Sequence, residues 1–145
     1  MKTASGVFPL SNGIERYLAE QDVRVSPNMN VYEASQEILD RKASGATVVD
    51  ADGKLIGVLS ELDCLRALVT SVYNGSDPGG ALVSDIMTTD VEVANASDDI
   101  IATASSMLES KRRRRPVIKD GELIGQISCR QILRAVTEDL KKAQQ

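Results

Sequence analysis

An internal repeat limits the folds open to this chain more than any other feature of the sequence. The segment Asp52–Ala67 returns as Asp120–Ala135 at an offset of 68, with nine of sixteen positions identical. Upstream, an offset of 69 aligns Leu39 with Leu108. The one-residue difference falls in a turn, where changes of length are tolerated. Each copy alone is too small to bury its apolar surface well, so we expect the two copies to pack together.

Each copy carries the same pattern of elements. In the first copy Asn30 begins a helix, with Glu33 placed to complete a capping box. A β-hairpin follows, with strands at Thr47–Val49 and Leu55–Leu59, and Ser60 begins a second helix. This pattern predicts an α/β (α+β) fold made of two tandem strand–hairpin–helix units. The apolar stripe of the second helix consists of Leu62, Leu65, Leu68, Val69 and Val72.

Repeat spacing and turn-forming residues divide the chain into four parts. Residues 1–13 are predicted as an N-terminal arm, 14–73 as the first repeat, 74–82 as a linker and 83–145 as the second repeat. The linker is rich in glycine, serine, asparagine and proline, which are typical of loops.

Composition excludes several classes of function. The chain has 145 residues, no histidine, a net charge of −4 and 3% aromatic residues. The lack of histidine removes the commonest general base and most zinc sites, so an enzyme is disfavoured and no catalytic or metal site is expected. Few aromatics and net negative charge disfavour nucleic acid as a partner. No signal peptide or membrane span is evident, and the two separated cysteines indicate reduced thiols, so we expect a cytoplasmic protein.

The repeat resembles the cystathionine-beta-synthase (CBS) domain, in a tandem pair of the stand-alone bacterial type. The resemblance rests on Gly45–Asp63, Arg114–Ser128 and the opening motif Val83–Thr88. It implies two units packed about a pseudo-two-fold axis with their small sheets facing each other, and ligand clefts between them. It also implies a homodimer and a regulatory ligand such as AMP, ADP, ATP or S-adenosylmethionine, with no cofactor required.

The resemblance assigns a ligand role to the end of each hairpin. Ser60 is placed to contact phosphate and Asp63 to bind ribose hydroxyls, while the backbone near Ala46 and Thr47 reads the adenine. Helix amino ends do attract anions. However, a serine followed three residues later by an aspartate also forms a helix cap, and the two roles can coexist. Thr47 stands where the family often has proline, so its N–H is retained.

The second copy departs from this pattern. Ser128 is kept, but Gln131 stands in place of Asp63 and is a poorer acceptor for a ribose diol. We therefore rank the first site above the second. Arg130 in the first helical turn could meet a phosphate. The run 111–115 holds five of the 17 basic residues; it is either a solvated face or a source of phosphate ligands, for which Arg113 and Arg115 are candidates.

Two functions remain open from the sequence. The first is a non-catalytic sensor that binds an adenosine ligand in the cleft between the repeats and signals through a regulated protein partner or through its own dimer. The second is a structural or dimerisation module that binds no nucleotide, which Gln131 and Thr47 favour. A nucleotide hydrolase is disfavoured because the sequence has no G-x-x-x-x-G-K-[ST] phosphate loop.

Overall fold

The computed structural model describes residues 13–19, 22–77 and 80–144. The chain divides into two compact units. The first unit comprises residues 22–77 and 80–91, and the second comprises residues 13–19 together with 92–144. The predicted N-terminal arm lies outside the described residues except for Gly13.

The first unit has a three-stranded sheet covered by helices. Its strands β1 (Arg24–Val25), β2 (Gly45–Val49) and β3 (Leu55–Ser60) lie in that order, with β1 parallel to β2 and β2 antiparallel to β3. Helix α1 (Val31–Asp40) precedes the hairpin and α2 (Glu61–Tyr73) follows it. The short helix α3 (Val83–Ile86) completes the unit. Its core residues are Val23, Val25, Val31, Ala34, Ile38, Ala46, Val48, Leu59, Cys64 and Val83.

The second unit has the same topology. Its sheet contains β4 (Ala94–Asn95), β5 (Arg114–Lys119) and β6 (Glu122–Ser128), with β4 parallel to β5 and β5 antiparallel to β6. Its helices are α4 (Ile100–Ser110) and α5 (Cys129–Ala143), and a 3₁₀ turn spans Ile14–Tyr17. The predicted fold class, mixed α/β with two small sheets, is confirmed. The core residues are Ile14, Ala94, Ala96, Ile100, Met107, Val117, Ile127, Ile132 and Ala135.

The predicted starts of the helices are confirmed by their caps. Asn30 accepts a hydrogen bond from the N–H of Glu33 at 2.8 Å and donates its side-chain amide to the Glu33 carboxylate at 2.5 Å. Ser60 begins α2 with a complete capping box. Both hairpin turns place a glycine at φ +81°, Gly53 and Gly121, a conformation that glycine adopts without steric cost.

The leading segment of each sequence repeat packs in the unit that contains the other repeat's hairpin. Ile14, at the start of the first repeat, is fully buried in the core of the second unit. Val83, at the equivalent place in the second repeat, is fully buried in the core of the first unit. After α3, Thr88 forms a two-way backbone bridge with Val58 of β3, with both N–O distances 2.9 Å. The units defined by packing therefore differ from the sequence repeats, which begin at these segments.

The apolar stripe on α2 is only partly used by the core. Cys64 is buried, and Ala67 and Leu68 are partly buried against the core. The other four apolar residues of the stripe are 56% to 69% exposed: Leu62, Leu65, Val69 and Val72. Helical periodicity identifies such a stripe but not the surface that covers it.

Candidate functional site

The first candidate site lies where β3 leads into α2, at residues Ser60–Asp63, which we call the first junction. The Ser60 hydroxyl accepts from the N–H of Asp63 at 3.1 Å, and the N–H of Ser60 donates to Asp63 Oδ2 at 3.0 Å. Asp63 Oδ1 lies 3.9 Å from the Arg66 guanidinium. Both predicted residues therefore form the helix cap, and the two Asp63 oxygens occupy different surroundings.

The first junction is bonded to the first residue of β2 and to the residue before it. The N–H of Glu61 donates to the carbonyl of Ser44 at 3.1 Å, and Gly45 pairs with Ser60 across the hairpin. Ligand groups that reach Ser60 would therefore meet the backbone at the start of β2. One residue beyond Asp63, burial raises the pKa of the Cys64 thiol, so this thiol remains protonated and belongs to the core.

Ala46 and Thr47 lie in β2 directly after Gly45, and both side chains are buried. Thr47 donates its backbone N–H to the carbonyl of Val23 at 2.9 Å, and its hydroxyl reaches the same oxygen at 3.3 Å. A proline at this position would lack this N–H, which here bonds to Val23, the residue before β1. An adenine-reading role for the backbone of Ala46 and Thr47 stays a prediction.

The second candidate site, residues Ser128–Gln131 where β6 leads into α5, is called the second junction. The Gln131 side-chain oxygen accepts from the N–H of Ser128 at 3.2 Å and also contacts the Ser128 hydroxyl. Glutamine therefore takes the capping role of Asp63 without its charge. Arg130 is exposed in the first turn of α5. Cys129 is also exposed, in contrast to Cys64.

The basic run is split between solvent and interior. Lys111, Arg112 and Arg113 are exposed, whereas Arg115 is 5% exposed. The Arg115 guanidinium lies 2.7 Å from the Glu92 carboxylate and donates to the Ser106 hydroxyl at 2.9 Å. The N–H of Cys129 donates to the carbonyl of Arg113 at 2.9 Å, which places Arg113 beside the second junction. Arg115 is instead directed into the interior of its own unit, so the two predicted ligands do not share an environment.

Glu92, the ion-pair partner of Arg115, is the neighbour of a predicted site residue that sequence reasoning missed. It precedes Arg115 by 23 positions, and the first repeat has Val23 and Ala46 at the equivalent places, so the first repeat has no equivalent ion pair. A glutamate aligned with valine, opposite an arginine aligned with alanine, is the one signal that could have suggested the pairing.

Two negative findings bound the chemistry of the described residues. In the parts of the chain that the structure covers, no three histidine, cysteine, aspartate or glutamate side chains are grouped as metal ligands. Within those same ranges, no helix has the length and apolarity needed to cross a membrane.

Comparison with known proteins gives a consistent result. The sequence model of the CBS domain matches residues 14–70 and 83–138. The chain is 25% identical over 130 residues to an uncharacterized protein of Methanocaldococcus jannaschii, covering 90% of this chain and 45% of that protein. It is 28% identical over 159 residues to the chloroplastic CBS domain-containing protein CBSX1 of Arabidopsis thaliana, covering 92% and 66%. The chain thus spans about half to two thirds of these relatives.

A solved structure shows the same likeness. The crystal structure of CBSX2 in complex with AMP superposes with a TM-score of 0.75 at 28% identity, covering 88% of this chain and 98% of that one. Another structure of CBSX2, from Arabidopsis thaliana, gives a TM-score of 0.78 at 27% identity, covering 90% and 98%.

Proposed function

This chain belongs to the CBS domain family, and we propose that it is a non-catalytic regulatory module that binds an adenosine-containing ligand. The ligands considered are AMP, ADP, ATP and S-adenosylmethionine. The observation that carries the proposal is the first junction, where Ser60 and Asp63 stand together at the amino end of a 13-residue helix. The likeness to CBSX2, whose structure holds AMP, supports this ligand class.

The chemistry of the first junction suits a ribose with an attached anion. The helix amino end presents the positive end of the helix dipole to a phosphate, and the Ser60 hydroxyl, which accepts from the N–H of Asp63 in the cap, keeps its own proton to donate. Asp63 Oδ2 is engaged in the cap, while Oδ1 lies 3.9 Å from the exposed Arg66. Oδ1 can therefore accept hydrogen bonds from a ribose diol without breaking the helix cap.

Conservative replacement of Asp63 tests this assignment. Asp63→Asn keeps a side-chain oxygen for the N–H of Ser60 but removes the charge, so we expect AMP to bind about tenfold more weakly, since hydrogen bonds to charged groups contribute roughly 1.5–3 kcal/mol. Isothermal titration calorimetry measures the change. The matched control, Gln131→Ala at the second junction, is expected to change AMP affinity less than twofold.

Two outcomes contradict the assignment. If Gln131→Ala weakens AMP binding and Asp63→Asn does not, the ligand occupies the second junction instead. If AMP, ADP, ATP and S-adenosylmethionine at millimolar concentration all leave the melting temperature unchanged, the protein binds none of them. The alternative, a dimerisation module without a nucleotide, would then stand.

We also propose that the chain forms a homodimer through α2, which would pass the signal of a bound ligand to a second copy or to a protein partner. The supporting observation is the exposed apolar face of α2, whose residues Leu62, Leu65, Val69 and Val72 follow a heptad spacing. Equivalent positions in both repeats are exposed and apolar, namely Leu65 with Leu133 and Leu39 with Leu108. Single exposed apolar side chains are common on protein surfaces, whereas a contiguous exposed apolar patch is typical of an interaction surface.

A charge on this face tests the homodimer. Leu65→Glu combined with Val69→Glu is expected to convert the dimer into a monomer, because two carboxylates would have to be desolvated in each half of the interface. Light scattering coupled to gel filtration measures the mass. The control is Thr70→Glu on the exposed side of the same helix, which should remain dimeric. A monomeric unmutated chain, or a doubly substituted chain that stays dimeric, would refute the α2 interface.

A further inference from the structure

The exposed apolar surface is divided unequally between α2 and α5, the helices that follow the two hairpins. Four apolar residues of α2 are 56% to 69% exposed, and we call them the α2 seam: Leu62, Leu65, Val69 and Val72. Tyr73, at the end of the same helix, is 90% exposed. In α5, of which the structure describes every residue, Leu133 is the one large apolar side chain with comparable exposure.

The residues at equivalent positions of the two helices account for this difference. At an offset of 68, three apolar residues of α2 are replaced by polar or charged residues in α5, and the pairs are Leu62 with Arg130, Val69 with Thr137 and Tyr73 with Lys141. All three α5 residues are exposed. Covering this face of α5 would remove two positive charges from water, which is costly unless they are paired. The outer face of α5 therefore suits solvent, whereas that of α2 does not.

The area of the α2 surface matches what a dimer interface requires. Its five exposed apolar side chains offer on the order of 400 Å² of apolar surface in each copy of the chain. A stable dimer buries about 800 Å² per partner, of which somewhat more than half is apolar. Helix α2 can therefore supply most of the apolar contact by itself, whereas α5 would supply little beyond Leu133.

We infer that a second copy of the chain covers the α2 seam with its own α2 seam, so that the first unit of one copy pairs with the first unit of the other. This inference rests on the proposed homodimer and names the face that each copy presents. In a two-fold dimer the same patch meets itself, so both seams join in one apolar surface. The other closed arrangement, α2 against α5 of the second copy, would place the seam against charged side chains.

The spacing of the α2 seam fits this pairing. Its residues follow one another at intervals of three, four and three positions, which is the same in both directions along the helix. These intervals are also those of a coiled-coil seam. In two antiparallel helices centred on Ala67, each seam residue therefore faces an apolar residue of the other copy. The facing pairs are Leu65 with Val69 and Leu62 with Val72.

Repulsion between the acidic first turns is the main electrostatic cost of this arrangement, and it is small. In the antiparallel pair, Glu61 and Asp63 lie about 12–18 Å from their counterparts along the helix axes. This separation exceeds the screening length of about 8 Å at physiological salt. The one basic residue of α2, Arg66, has its guanidinium 3.9 Å from Asp63 Oδ1. The apolar contact therefore decides the orientation.

Crosslinking of a single cysteine tests which faces meet. The exposed Cys129 is first removed by Cys129→Ser, while the buried Cys64 is kept. In this background Val69→Cys is expected to form a covalent dimer with a short bismaleimide, because the two copies of residue 69 lie about 6 Å apart along the helix axes. The matched control is Thr70→Cys, which is exposed outside the seam and should give about tenfold less covalent dimer.

Charge substitutions at equivalent positions of the two helices give a second measurement. Leu65→Glu combined with Val69→Glu should raise the dissociation constant of the dimer about a hundredfold, since both carboxylates enter the seam. Leu133→Glu combined with Thr137→Glu, the equivalent pair on α5, should leave this constant within about threefold, because few hot-spot contacts carry most of the affinity. Analytical ultracentrifugation of the full chain measures both.

The other outcomes separate this inference from the proposals on which it rests. A covalent dimer that forms only after Val69→Cys is mixed with Thr137→Cys shows that α2 meets α5, which overturns the inference while the homodimer stands. A dimeric Val69→Cys chain that gives no crosslink, or an equal loss in both double variants, also overturns it. A monomeric unmutated chain refutes the homodimer and the inference together. If Val69→Cys crosslinks to itself but AMP does not bind, the adenosine function fails and this inference stands.

Discussion

A fragment of residues 21–91 is expected to fold by itself, whereas a fragment of residues 14–82, the first sequence repeat with its linker, is expected to remain unfolded. The two fragments have nearly the same length and share the hairpin and both long helices. Only the first contains Val83, which is fully buried, and Met87, which packs against the same core. Full burial of a valine-sized side chain contributes roughly 1.5–3 kcal/mol.

Residues 83–91, which the fragment of residues 14–82 lacks, also supply backbone hydrogen bonds. The N–H groups of Val83 and Ser84 donate to the carbonyls of Met29 and Pro27 at 2.9 and 3.0 Å, and Thr88 extends the sheet beyond β3. A core in a chain of this size rarely supplies more than about 3–5 kcal/mol, so the combined loss should unfold the unit. Far-UV circular dichroism and urea unfolding measure the result.

A longer fragment serves as the control. Residues 14–91 contain both leading segments and should fold with the stability of residues 21–91, because residues 14–19 have their packing partners in the other unit. Cooperative unfolding of residues 14–82 with the same midpoint as residues 21–91 would show that the sequence repeat is itself the folding unit.

The second large effect is expected at the ion pair between the buried Arg115 and the half-exposed Glu92. Glu92→Ala should lower the free energy of unfolding by about 3 kcal/mol, because it leaves a buried positive charge without its carboxylate partner. Arginine does not lose its proton in proteins, so the charge cannot be neutralised. The Ser106 and Ser110 hydroxyls, at 2.9 and 3.4 Å, would remain as its neutral partners.

Substitution of the arginine should lower the free energy of unfolding less than substitution of the glutamate. Arg115→Met fills the buried volume with an adaptable apolar side chain, and the Glu92 side chain is 51% exposed, so its carboxylate can return to water. We expect a loss of about 1–2 kcal/mol from this change. Urea unfolding of both variants measures the difference, and a larger loss for Arg115→Met than for Glu92→Ala would contradict this account.

Local patterns predicted the elements of the fold well. The caps at Asn30 and Ser60, the turn glycines and the two hairpins depend on residues close in sequence, where spacing alone decides the hydrogen-bond partner. The family followed from the order and duplication of these elements. Burial of α2 could not be predicted in the same way, because periodicity defines an apolar stripe without identifying its neighbour.

Contacts between distant residues account for the rest. Ile14 and Val83 are aligned in the repeat and both are apolar, but nothing in their local sequence says in which sheet each is buried. The ion pair of Arg115 with Glu92 and the hydrogen bond of Thr47 with Val23 join residues 23 and 24 positions apart.

The packing of each leading segment in the opposite unit has a consequence for how such a chain could arise. A polypeptide with a single repeat has no second hairpin of its own for its leading segment to cover. Two separate copies could bury both leading segments only by exchanging them, as in reciprocal domain swapping. Duplication and fusion of the coding sequence place donor and acceptor on one chain, so an exchange that depended on concentration becomes intramolecular and independent of it.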